Sequence, residues 1–118
     1  MHIHSASPVF HVGDFDAAIA FYRDVLGFEE AFRFGDYAGM KFGAFSLHIN
    51  GMNPADPRTG NSTVYVMCDA IDDYYAGVAG KGAAILQPPA QQPYGMYDFV
   101  LKDPDGNQLS FGVDTTGA

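Results

Sequence analysis

Cysteine is almost absent. The single residue, Cys68, excludes an intramolecular disulfide and the zinc motifs built from paired cysteines. It closes the apolar run Val64-Tyr65-Val66-Met67-Cys68 and is expected to be a buried core thiol. Positive charge is scarce as well: 6 Lys+Arg stand against 14 Asp+Glu, a formal charge of -8 at pH 7. Such a field repels phosphate backbones, so nucleic acid and anionic lipid are disfavoured as partners and a cationic ligand is permitted. The acid excess lies in both halves, so no acidic tail explains it. No apolar run approaches the ~18 residues that cross a bilayer, and Met1-His2-Ile3-His4 lacks the regions of a secretory signal, which predicts a cytoplasmic protein without membrane contact. His2 and His4 alternate on the N-terminal tail and read as solvated histidines rather than a metal site. There is no phosphate-cradling glycine loop and no nucleophile elbow, so no catalytic residue is assigned.

The 118 residues are 47% hydrophobic and 17% charged, which suits one compact domain. Residues 7 to 13 predict a strand, and Asp14 is a good N-cap for the helix that follows. Phe15, Ala18, Ile19, Tyr22, Val25 and Leu26 recur at helical spacing on one face, closed by Gly27. Aromatic-rich stretches at Phe28 to Phe34, Gly39 to Phe42 and Phe45 to Asn50, punctuated by Gly35-Asp36 and Gly43, predict three antiparallel strands. Residues 51 to 62 hold Gly, Asn, Pro and Asp with almost nothing apolar and read as a linker.

Beyond the linker the pattern restarts. A strand is expected at Thr63 to Cys68, a cap at Asp69, and a helix with Ile71, Tyr75, Val78 and Ala79 on one face. An offset of 56 places Phe15 on Ile71, Asp16 on Asp72 and Gly39-Met40 on Gly95-Met96. Asp103-Pro104-Asp105-Gly106-Asn107 is a turn sequence before a last strand, Gln108 to Val113. Allowing for this longer hairpin, Phe45 to Ile49 matches Asn107 to Phe111. The chain therefore reads as two βαβββ units, residues 6 to 50 and 62 to 113, within one α+β domain spanning 1 to 118.

Three segments carry a family resemblance: PVFHVGDFDAAIAFYRDVLGF, the restart at Tyr65 to Lys81, and YGMYDFVLKDPDGNQLSFG at Tyr94 to Gly112. Together they make the chain similar to the vicinal oxygen chelate superfamily of glyoxalases, dioxygenases and bleomycin-resistance proteins. The resemblance implies two modules forming a U-shaped mixed sheet, helices on its convex side, a ligand on the concave side and a homodimer. In the enzymatic members, four strand positions hold a divalent metal; here they fall on Ser7, His48, Thr63 and Ser110, of which His48 alone is a plausible donor. No metal and no cofactor is expected. Pro8, following the vacated Ser7, is similar to the bleomycin-resistance branch, whose members sequester a cationic antibiotic without chemistry.

Strand alternation from these positions sends Ser7, Val9, His11, Ser46, His48, Asn50, Thr63, Tyr65, Met67, Gln108 and Ser110 into the groove. Phe10, Val12, Leu47, Ile49, Val64, Val66, Cys68, Leu109 and Phe111 fall on the core face. The candidate ligand-binding residues are His11, Phe34, Tyr37, Phe42, His48, Tyr65, Met67, Tyr94, Tyr97, Asp98 and Ser110. The tyrosines would stack on a planar ligand and Asp98 would supply a carboxylate. The expected function is sequestration of a cationic aromatic small molecule. The alternative is a metal-dependent lyase, isomerase or dioxygenase of the same superfamily, using His48 with ligands from elsewhere.

Overall fold

The computed structural model describes residues 1–117 and contains two four-stranded mixed sheets with a helical segment packed on each. The first unit comprises β1 (Val9–His11), α1 (Phe15–Ala20), β2 (Glu29–Phe34), β3 (Tyr37–Phe42) and β4 (Phe45–Asn50). The second comprises β5 (Thr63–Met67), α2 (Asp72–Gly80), β6 (Ala84–Gln91), β7 (Met96–Lys102) and β8 (Gln108–Asp114). Strand order is β1-β4-β3-β2 in one sheet and β5-β8-β7-β6 in the other. In each, the first strand runs parallel to the last and the remaining pairs are antiparallel.

Alternation places Leu47 and Ile49 of β4 and Leu109 and Phe111 of β8 in one buried core, while His48 and Ser110 face the other way. Phe15, Ala18, Ile19, Tyr22 and Leu26 complete that core from the helix side, as the helical spacing predicts. Asp14 caps the first helix through its side chain, which accepts from Ala17 N at 3.1 Å. The helix does not run on regularly to Leu26: after Ala20 it widens into a π turn, Phe21–Val25, with Leu26 N donating to Phe21 O. The expected cap at Asp69 is corrected, since α2 begins at Asp72 behind Ile71 with no side-chain cap. Cys68 is half-buried rather than buried, its Sγ 3.6 Å from the Gly112 carbonyl, and burial pushes the thiol pKa up.

The two sheets correspond through β1 and β5 at the expected offset of 56, since Val9 opposes His48 and Tyr65 opposes Ser110. Further along, Tyr37 corresponds to Asp98, an offset of 61, and His48 to Ser110, an offset of 62. The match of Gly39-Met40 to Gly95-Met96 is therefore overturned: Gly39 corresponds to Val100, and Gly95 is a turn glycine with φ 83°. Most of the added length lies in β6 and its turn, not in the Asp103–Asn107 hairpin. β6 is implied by the second βαβββ unit, but the sequence pattern gives it no bounds, because Pro88 and Pro89 interrupt it. Two prolines are tolerable there because β6 is an edge strand and its register slips between Gln87 and Ala90.

The Asp103–Asn107 turn joins the two units. Asp103 Oδ1 accepts from the backbone N–H groups of Asp105, Gly106 and Asn107, each at 2.9 Å. Its Oδ2 accepts from Tyr22 Oη and Asn107 Nδ2, also at 2.9 Å. Asn107, fully buried, further donates to the His11 carbonyl at 3.1 Å and accepts from Ser62 N at 3.0 Å. One side chain thus ties β1, the linker and the final hairpin together. Burial holds the Asp103 carboxyl above the ordinary range despite these donors, and burial followed by the Asp103 charge holds Tyr22 far above its own.

Candidate functional site

The faces opposite the helices carry the unusual chemistry. On β7, Asp98 opposes Gly112 of β8 and points away from the core. It is only 1% exposed. Its Oδ2 accepts from Tyr65 Oη at 2.8 Å and Tyr94 Oη at 2.6 Å. Its Oδ1 accepts from Gln87 Nε2 and Gln92 Nε2, both at 3.1 Å. Burial pushes this carboxyl pKa up, but the donors from Tyr94, Tyr65, Gln87 and Gln92 outweigh it and hold the group below the usual range. The tyrosines move the other way. Burial, then the Asp98 contact, raises Tyr65 well above an ordinary phenol, and Tyr94 is raised chiefly by its hydrogen bond to Asp98. Gly112 makes this possible: a Cβ there would collide with the Tyr65 phenol.

The first sheet builds a different group at the corresponding place. The Tyr37 hydroxyl lies 2.7 Å from His48 Nδ1; we assign the phenol as donor, which leaves the imidazole proton on Nε2. Phe32 packs edge-on to His48 with centroids 5.3 Å apart and stacks on Tyr37 at 6.3 Å. Its ring lies over Gly39, where a Cβ would collide with it. Beside this group Ser7 Oγ donates to Ser46 Oγ at 3.0 Å.

Of the candidate residues, Tyr37 and His48 are therefore together on one open face, and Tyr65, Tyr94 and Asp98 on the other. Ser110 sits opposite Tyr65 on the second face, and Phe34, 81% exposed, ends β2 on the first. Three placements differ from expectation. Tyr97 precedes Asp98 and lies on the opposite side of the strand: it packs toward the core, and its hydroxyl donates to Asp72 Oδ1 of α2 at 2.7 Å. Phe42 shares a face with the buried Met40 and packs edge-on to Phe28 and Tyr74; with Met67 it lines a separate apolar cavity of about 250 Å³. His11 is 7% exposed and closed off from the face, with Gly60 N donating to its carbonyl and its Nδ1 without a partner. The linker covers it, and no strand pattern reveals that.

Phe32, Gln87 and Gln92 were missed. Phe32 shares its parity with Phe34, a readable signal, whereas the two glutamines lie in and beside the proline-interrupted strand, whose bounds and faces the sequence pattern does not give.

The four positions that would hold a metal do not fit one. His48 Nδ1 is engaged with Tyr37, Ser7 is paired with Ser46, and hydroxyls are poor ligands without carboxylate or imidazole neighbours. Among the described residues no group of three or more His, Cys, Asp or Glu is arranged to hold a metal ion.

Fold, duplicated topology and these open faces define a class, and the chain belongs to it: residues 3–111 match the Glyoxalase/Bleomycin resistance protein/Dioxygenase superfamily. Within that class the chain is similar to a bleomycin resistance determinant encoded on the transposon Tn5, at 26% identity over 95% of this chain and 98% of that one, with a TM-score of 0.81. It is also similar to the bleomycin-binding protein from bleomycin-producing Streptomyces verticillus, solved with copper(II)-bleomycin, at 26% identity over 94% and 96% of the two chains, TM-score 0.78. A superfamily protein from Nocardioides shares the fold at 18% identity, covering 100% of this chain and 88% of its own, TM-score 0.78. No curated protein matches the chain. The described residues include no helix long and apolar enough to cross a membrane.

Proposed function

We propose that the protein is a cytoplasmic binding protein that sequesters a cationic aromatic small molecule of the bleomycin type without altering it. The observation that carries this reading is the buried Asp98 carboxylate beneath two exposed phenols, Tyr65 and Tyr94. It joins negative potential to aromatic surface, the combination that a flat cation needs. The excess of acidic residues adds long-range attraction that salt screens over about 10 Å at 0.1 M. The similarity to two bleomycin-binding structures over nearly the whole chain supports the ligand class. Titration calorimetry with bleomycin and phleomycin at two salt concentrations tests it, with the ligand recovered and weighed by mass spectrometry. Micromolar or tighter binding that weakens with salt and returns unchanged ligand is expected. Affinity no better than millimolar contradicts the ligand class, and altered ligand makes the protein an enzyme.

The groove belongs to a homodimer in this reading. Val9, Phe32, Met67 and Leu86 are large apolar residues left exposed by a single chain, and each sheet has open edges. A symmetric partner would cover them and set the open face of one unit against that of another chain. Light scattering should give twice the 12.7 kDa chain mass at micromolar concentration. The monomer mass would refute the shared groove.

A further inference from the structure

The Asp98 group has a polarity that the reading above leaves unspecified. A carboxylate offers about four lone-pair directions. All are taken, by Tyr65 and Tyr94 on Oδ2 and by Gln87 and Gln92 on Oδ1. Asp98 is also buried, so a ligand cannot reach it. What the carboxylate does instead is fix its neighbours. Each phenol has one proton, and both protons point inward to Asp98. Tyr65 and Tyr94, 42% and 60% exposed, therefore turn only oxygen lone pairs and electron-rich rings to the outside. Gln87 is committed too, since its Nε2 also donates to the Asp98 carbonyl at 3.2 Å. Lys102, the only cation on β7, lies four residues along the strand, roughly 13 Å away.

We infer that Tyr65 and Tyr94 form an acceptor-only subsite that takes a planar N–H donor cation, an amidinium or guanidinium, and rejects carboxylates and phosphates. Asp98 is a positioning residue in this subsite: it orients two phenols and polarises their oxygens without touching the ligand. The flat cation would offer both oxygens parallel, coplanar N–H donors, a fixed fork that is more weakly hydrated than an ammonium and so loses less on leaving water. This deepens the sequestration reading and rests on it for the setting, but it specifies a chemistry that can be tested without bleomycin.

The test uses full-length protein with tyrosines labelled at ¹³Cζ, titrated with benzamidinium, benzoate and benzyl alcohol. Benzamidinium should shift the Tyr65 and Tyr94 resonances saturably, with a dissociation constant on the order of millimolar, as befits a ligand of its size. Benzoate should leave both unmoved, and benzyl alcohol should bind more weakly than benzamidinium. Asp98→Asn and the double variant Tyr65→Phe/Tyr94→Phe, the latter lacking both labels and therefore titrated by calorimetry beside the parent, should each weaken benzamidinium by roughly tenfold. The double variant keeps the carboxylate, so it decides the matter if Asp98→Asn misfolds. Orientation has its own readout: the two phenols should ionise above the ordinary value of about 10 in the parent protein and return toward it in Asp98→Asn. Benzoate moving the same resonances as tightly as benzamidinium would overturn the inference, as would unmoved tyrosines or undiminished affinity in the double variant. Bleomycin binding with unmoved tyrosines would fail this inference alone. Benzamidinium binding without bleomycin binding would fail the functional reading alone.

Discussion

The two open faces are built on one topology and carry opposite chemistry. Tyr37 and Asp98 occupy corresponding places on β3 and β7, and His48 and Ser110 correspond on β4 and β8. In both sheets an aromatic ring lies over a glycine of the pairing strands, Phe32 over Gly39 and Tyr65 over Gly112. The first face uses that space for an imidazole, a phenol and a phenyl group; the second uses it for a carboxylate held by four donors. The core beneath is the same in kind, with Leu47 and Ile49 answering Leu109 and Phe111. The sheet register thus fixes where side chains converge, while a few open-face residues decide what converges there, so duplication of a fold need not duplicate its chemistry.

The comparison collapses if the units cannot be held together, and Asn107 is one of the places where they join, beside Tyr22–Asp103, Gly13–Asp105 and Tyr74–Leu26. Asn107→Ala should cost about 2 kcal/mol, because it removes three hydrogen bonds, two of them fully buried, leaves the Ser62 N–H without a partner and leaves the His11 carbonyl with Gly60 N alone. Urea unfolding followed separately by tyrosine fluorescence and far-ultraviolet dichroism should show the loss. A change below about 0.5 kcal/mol would remove the clamp from the account.

The two glycines sharpen the contrast. Gly112→Ala should cost about 2 kcal/mol and bring the Tyr65 ionisation back toward the ordinary phenol value, since a methyl group would displace a phenol bonded to a buried carboxylate. Gly39→Ala should cost less, about 1 kcal/mol, because Phe32 is 45% exposed and its ring has room to swing away. Equal losses would mean that the two rings are held alike.

Acid separates the two buried aspartates by sign. Asp98 has a folded pKa below its unfolded value, so its contribution to stability is present above about pH 4 and is lost as pH falls through the folded value. Asp103 has a raised folded pKa, so its ionisation disfavours the fold as pH rises from the unfolded to the folded value. The stability difference between the parent and Asp98→Asn should therefore shrink on acidification from pH 6 toward about pH 3. A difference that grows would contradict the carboxylate hub. His48→Ala should be the mildest change, under about 1 kcal/mol, and should leave the ionisation of Tyr65 and Tyr94 untouched.

Much of the fold was legible in the sequence because each unit begins plainly. Asp14 caps a helix with a clean apolar stripe, and Phe45–Asn50 forms a strand at the expected bounds. The signal faded where local chemistry opposes the element that tertiary contacts impose. Pro88 and Pro89 disguise an edge strand, and with it went Gln87 and Gln92, half of the donors on Asp98. The site suffered most from features that sequence spacing does not encode. Tyr97 and Asp98 are adjacent in the chain yet on opposite faces, and His11 has the right parity but lies beneath the linker. Tyr65, Tyr94 and Asp98 are legible from residue type and position, but the network that orients them is not.

The central proposal, that the cation is held by the second face more than by the first, is tested most directly by bleomycin calorimetry at two salt concentrations on Asp98→Asn and His48→Ala. The account predicts that Asp98→Asn loses roughly tenfold in affinity and much of its salt dependence, whereas His48→Ala loses less and keeps the salt dependence of the parent. The reverse pattern, with the larger loss and the flattened salt response in His48→Ala, would contradict it.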